Sequence, residues 1–111
     1  MAPMLGAGRA GRGGLWIAHY AGRTMDIRTG LPVVGMVGGG QLARMTHQAA
    51  ISLGQSLRVL SVSADDSAAL VASDVRIGEH TDLAALREFA KGCEAVTFDH
   101  EHVPTAHVAA L

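Results

Sequence analysis

Three clusters of residue types in this 111-residue chain could do chemistry. The first is Gly38-Gly39-Gly40-Gln41, read as Gly38-x-Gly40-x-x-Ala43. It lies between the apolar run Val33–Val37 and an amphipathic stretch. A glycine makes the tight turn, and a second lets backbone approach a ligand closely. A third small residue lets a helix pack on the preceding strand. The first free N–H groups of that helix attract anions. The loop is not a Walker loop, because no Gly-Lys-Ser/Thr follows. A dinucleotide site would also want an acid at the tip of the second strand. Ser61-Val62-Ser63-Ala64-Asp65 stands there instead, which counts against NAD. A tight βα turn that binds nothing is the plainest alternative.

The second cluster is Asp99-His100-Glu101-His102, at the end of the apolar run Ala95–Phe98. Carboxylates at the C-terminal end of a parallel strand lie where open α/β sheets bind ligands, and they can accept hydrogen bonds from hydroxyls or amines. His100-x-His102 invites a metal reading, but no third ligand lies at a recognised spacing. Loop histidines are the better expectation, with no metal. The third set is scattered. Arg44 and His47, in the first turns after the glycine loop, could meet an anion or face solvent. Cys93 is the only cysteine. It precludes an internal disulfide, fits a reducing compartment such as the cytoplasm, and is expected to be a buried thiol.

The elements that must position these groups follow from periodicity. Val33–Val37 reads as a strand buried on both faces. Leu42, Met45, Ala49 and Leu53 recur at helical spacing and are expected to form the buried face of a helix ending at Gly54, with Met36 and Met45 in the core. Leu57–Val62 is a second strand, and Asp65-Asp66 is expected to cap a short helix. Val75–Ile77 is a third strand. Thr81 is expected to cap a helix burying Leu83, Leu86, Phe89 and Ala90. A fourth strand, Ala95–Phe98, precedes a helix from Thr105 to Leu111, which is expected to continue beyond the last residue. Such alternation implies an α/β fold: a Rossmann-like open parallel sheet of about four strands with flanking helices.

Residues 1–30 are a different kind of sequence. They hold seven of the fourteen glycines and four arginines against Asp26 alone. They are expected to carry little order, or to come from a start assigned upstream of Met25, with residues 31–111 as the domain. A net charge of −1 argues against nucleic acid or a membrane surface as partner.

Gly38-Gly39-Gly40-Gln41-Leu42-Ala43-Arg44-Met45, Thr46-His47-Gln48-Ala49 and Thr97-Phe98-Asp99-His100-Glu101-His102-Val103-Pro104 together resemble 5-(carboxyamino)imidazole ribonucleotide synthase, in its actinobacterial branch. The resemblance runs from about Pro32 to Thr105 and covers only the front of that ATP-grasp enzyme. It implies the pre-ATP-grasp domain of a ligase in purine biosynthesis that carboxylates 5-aminoimidazole ribonucleotide with ATP and bicarbonate. ATP and Mg²⁺ would sit on later domains, no catalytic residue would lie in this stretch, and the full-length enzyme would be a homodimer. Gly40, Gln41 and Leu42 match the loop that meets the substrate. Asp99 and Glu101 match the two acids after the fourth strand. Asp99 stands where Glu is commoner, one methylene shorter, so Glu101 is the stronger candidate. The alternatives are a freestanding NAD-type module and an inactive truncated fragment.

Overall fold

The computed structural model describes residues 6–10, 15–20 and 23–111. Its centre is a four-stranded parallel sheet built from β5 (Val34–Val37), β6 (Leu57–Ser61), β7 (Asp74–Ile77) and β8 (Ala95–Phe98), in the order β7-β6-β5-β8. Helices α1 (Gln41–Ser52), α2 (Leu83–Ala90) and α3 (Thr105–Ala110) flank it. This is the expected open α/β sheet. The chain winds outward from β5 through β6 to β7, then crosses back to place β8 on the other side of β5. A crevice therefore opens at the C-terminal ends of β5 and β8, where the winding direction reverses.

The core lies on both faces of the sheet. Met36, Ala43, Ala50, Leu57, Val59 and Ala68 pack together on the α1 side, and Val37, Leu60, Leu86, Phe89 and Val103 on the α2 side. The continuous apolar strand Val33–Val37 is thus central and covered on both faces, as its composition dictates.

Helix α1 corrects one expectation. Its buried residues are Ala43, His47 and Ala50, while Leu42, Met45 and Leu53 are 56 %, 54 % and 79 % exposed. The two small alanines let the helix backbone lie close to the sheet, and that geometry turns the bulkier stripe outward. Met36 is core as expected; Met45 is not. His47 therefore does not face solvent. It is 3 % exposed, and its Nδ1 has no hydrogen-bond partner. Arg44 instead donates to the Ser67 carbonyl at 3.3 Å.

Two further local expectations are revised. No helix follows Asp65-Asp66; residues 64–71 are turns. The Asp66 carboxylate accepts from the Ser61 hydroxyl and the Ser63 N–H, and the Ala68 N–H donates to the Gly39 carbonyl. These partners draw the segment onto the glycine loop instead of into a helix. The cap of α2 is Asp82, not Thr81: its carboxylate accepts from the N–H groups of Ala84 and Ala85 at 3.0 and 3.3 Å.

A buried ion cluster joins β6 and β7 to the end of α2. Arg58 on β6, 1 % exposed, donates to Asp74 on β7 at 2.9 Å and to the carbonyls of Phe89 and Lys91 at 2.8 and 2.5 Å. Arg76 donates to the other Asp74 oxygen at 2.8 Å. Cys93 is half-buried beside this guanidinium. Burial pushes its thiol pKa up, which suits a structural rather than a reactive cysteine.

Within the described part of residues 1–30, β1 (Gly6–Ala10), β2 (Leu15–Tyr20) and β3 (Arg23–Asp26) pair antiparallel in that order, and β3 pairs with β4 (Leu31–Pro32). The tie to the parallel sheet is specific. Asp26 is 1 % exposed and accepts from Arg28, and from the Ser56 hydroxyl at 3.3 Å.

Burial lowers the pKa of His47 from its ordinary 6.5. The unfolded chain then binds a proton that the folded chain refuses, so stability falls as pH drops through the mid-sixes and below. Wild type should melt at a lower temperature at pH 5.5 than at pH 7.5. His47→Leu should flatten that difference measurably in thermal melts followed by circular dichroism.

Candidate functional site

The crevice at the reversal point is a cavity of about 260 Å³ lined by Gly38–Gly40, Leu60, Val62, Asp66, Gly78, His80, Asp99 and His100. The floor is backbone. The Gly38 N–H donates to the Leu60 carbonyl, Gly78 N–H to Ser61, and Asp99 N–H to Val37, at 2.9, 2.9 and 3.1 Å. These bonds continue the sheet ladder past the strand ends and fix three loops against one another.

The glycines serve the protein's own side chains. Gly38 has φ +119°, and a Cβ there would sit 1.8 Å from Asp99 Oδ1. A Cβ on Gly39 would sit 2.1 Å from the Ser61 hydroxyl oxygen. The loop is bare so that Asp99 and Ser61 can lie on it. Asp99 Oδ2 accepts from the Gly40 N–H at 3.4 Å, at the N-terminus of α1. The anion in this cradle is thus Asp99 itself. Its side chain is only 8 % exposed, and Oδ1 accepts no hydrogen bond. His100 Nε2 stands 3.5 Å from Oδ1, close enough for attraction but without hydrogen-bond geometry. A buried carboxylate oxygen without a donor is an open demand for one.

The structure brings Gly40 and Asp99 together in the cavity. Gln41 and Leu42 are exposed and outside its lining; the Gln41 side-chain oxygen accepts from the Ser67 hydroxyl at 3.1 Å. Glu101 is also exposed and outside the lining. Of the polar side chains in the lining, Asp66 was read from sequence only as a helix cap, His100 only as a loop histidine, and His80 was not singled out. The rings of His80 and His100 meet edge-on at 4.7 Å, and those of His100 and His102 lie 5.2 Å apart. Among the described residues, no group of three or more His, Cys, Asp or Glu side chains could hold a metal ion. Among the described residues, no Lys or Arg lines the cavity. No helix among the described residues is long and apolar enough to cross a membrane.

A glycine turn after the first parallel strand, with Asp66 from the turns beyond the second and Asp99 from the end of the fourth, defines a Rossmann-like domain. Residues 31–111 match the family model of the ribonucleotide synthetase pre-ATP-grasp domain, and the chain belongs to that family. It is 73 % identical over 73 residues to an N5-carboxyaminoimidazole ribonucleotide synthase of Mycobacterium tuberculosis, covering 66 % of this chain and 17 % of the relative. A synthase of the same name from Corynebacterium ammoniagenes is 54 % identical over 82 residues, covering 74 % of this chain and 20 % of the relative. The crystal structure of the Thermus thermophilus synthetase superposes with TM-score 0.64 at 40 % identity, over 70 % of this chain and 21 % of that one. An Aspergillus clavatus synthase in complex with ADP and 5-aminoimidazole ribonucleotide superposes with TM-score 0.65 at 32 % identity, over 71 % and 21 %. The chain spans about a fifth of the length of these relatives.

Gly38→Ala should cost about 2 kcal/mol or more, because it combines a left-handed φ with displacement of Asp99. Urea unfolding would read this loss. The double variant Gly38→Ala/Asp99→Ala should recover part of it, since the contact goes but the backbone strain stays. No recovery would mean that Asp99 does not rest on Gly38.

Proposed function

We propose that this chain is the substrate-side domain of a ligase that carboxylates 5-aminoimidazole ribonucleotide with ATP and bicarbonate, in purine biosynthesis in the cytoplasm. The observation that carries this is the Asp99 carboxylate in the wall of a 260 Å³ crevice at the glycine turn, in a chain of this family. It asks for a hydrogen-bond donor, and the exocyclic amine and ribose hydroxyls of that ribonucleotide are donors. The relative solved with ADP and 5-aminoimidazole ribonucleotide supports the same ligand.

In this reading residues 31–111 form the domain and residues 1–30 precede it. Gly40 and Asp99 act inside the crevice. Gln41, Leu42 and Glu101, exposed beside it, contact the substrate from its rim. ATP and Mg²⁺ belong to the remaining four-fifths of the enzyme; relatives solved with ADP or ATP support a nucleotide as a ligand of the family. The glycine loop here is taken by Asp99 and offers no cation, so a triphosphate does not fit it. No catalytic residue is assigned to this stretch, and the complete enzyme is proposed to work as a homodimer.

The 111-residue chain should release no phosphate from ATP in the presence of bicarbonate and the ribonucleotide. It should be stabilised in thermal-shift assays by 5-aminoimidazole ribonucleotide but not by NAD(H). Stabilisation by NAD(H) alone would overturn the proposal in favour of a dinucleotide module.

A further inference from the structure

Asp99 Oδ1 is a buried acceptor with no hydrogen bond among the described residues. Gly38 closes one side of it, since a Cβ there would lie 1.8 Å from this oxygen. A buried oxygen is out of a ligand's reach, so the donor it lacks must come from the protein itself. One imidazole stands next to it. His100 Nε2 lies 3.5 Å away. The other nitrogen of that ring is already engaged: Nδ1 accepts from the His102 backbone N–H at 3.1 Å.

The contact at Nδ1 decides the chemistry of the ring. A neutral imidazole carries one proton, and a nitrogen that accepts a hydrogen bond holds a lone pair instead. With Nδ1 accepting, the proton sits on Nε2, the nitrogen facing Asp99. The loop that sets this up is anchored at both ends. The Asp99 N–H donates to the Val37 carbonyl at 3.1 Å, and Val103 packs in the core cluster of Leu86 and Phe89. His80 arrives from the loop after β7, and its ring meets that of His100 edge-on, with centroids 4.7 Å apart and planes at 71°. Edge contacts of this kind are favourable and hold a ring in place. Turning the His100 ring over would exchange its nitrogens and break the bond from His102.

We infer that His100 is a positioning residue for the crevice: its Nε2–H is the donor for Asp99 Oδ1, and through that bond it keeps the acid lying on Gly38. Closing the 3.5 Å separation to a hydrogen bond takes a shift of roughly half an ångström. Hydrogen bonds to a carboxylate are the stronger kind, which favours the closer geometry. Both nitrogens of His100 are then used within the loop, so the ring acts only through Asp99. The inference rests on the ribonucleotide reading above for what Asp99 is positioned to do; the contact itself belongs to the free chain.

Long-range ¹H–¹⁵N NMR of the histidine side chains, on the chain without ligand in mildly alkaline solution, tests this. His100 should be the Nε2–H tautomer, with its Nε2 proton visible because the bond to Asp99 slows exchange with water. In Asp99→Ala that proton signal should be lost. His100→Phe keeps a ring but removes the donor, and should shift the Gly40 amide, which donates to the other Asp99 oxygen at 3.4 Å. His100→Gln puts an amide N–H near the place of Nε2 and should return the Gly40 amide most of the way to its wild-type position. Titrated with 5-aminoimidazole ribonucleotide, His100→Phe should bind about tenfold more weakly than His100→Gln. A ring that merely fills space would make the two variants alike. An Nδ1–H tautomer in wild type, or equal effects of the two substitutions on the Gly40 amide or on affinity, overturns the inference. Should the variants not fold, the wild-type tautomer and the visibility of its Nε2 proton decide. Wild type that does not bind the ribonucleotide overturns the proposed function, and the ligand-free spectra still decide the role of His100.

Discussion

The site depends on one contact: the carboxylate of Asp99 lying on the face of Gly38. A side chain at position 38 would put its first carbon inside that carboxylate, 1.8 Å from Oδ1. From this contact follow the polarity of the crevice and the use of the α1 N-terminus. A helix N-terminus with a bare glycine turn ordinarily invites a phosphate. Here the chain supplies the anion from β8, fifty-nine residues away.

The rest of the fold holds β5 and β8 adjacent so that the contact exists. Parallel pairing sets Val37 opposite Phe98, and the next residue on each strand begins the loop or bears the acid. The Arg58–Asp74–Arg76 cluster locks β6 to β7, and through the Phe89 and Lys91 carbonyls fixes the end of α2. Buried ion pairs contribute little net stability, but they tolerate few alternative registers, because an unpaired buried charge is costly. Arg58 therefore specifies the alignment of the strands whose tips carry Ser61 and Gly78.

The sheet, its four strands and the glycine turn were legible because buried parallel strands leave continuous apolar runs, such as Val33–Val37. The outward face of α1 was not. Leu42, Met45 and Leu53 have the spacing of a core stripe, and only the close approach allowed by Ala43 and Ala50 reverses it. Gly40 and Asp99 were legible as candidates from position alone. Asp66 was missed because it lies five residues beyond β6 in sequence, and only the Ser61 and Ser63 hydrogen bonds fold it back to the strand tip. His80 and His100 were missed as partners because their ring contact joins loops after different strands.

A crystal structure of the chain with 5-aminoimidazole ribonucleotide bound is the most direct test of the central claim, that the loop's own anion is Asp99 and its ligand a hydrogen-bond donor. A ribose hydroxyl or the exocyclic amine should lie within hydrogen-bond distance of the Asp99 carboxylate, with the phosphate outside the turn of Gly38–Gly40. A phosphate seated on the N–H groups of that turn, with Asp99 swung away from Gly38, would contradict it.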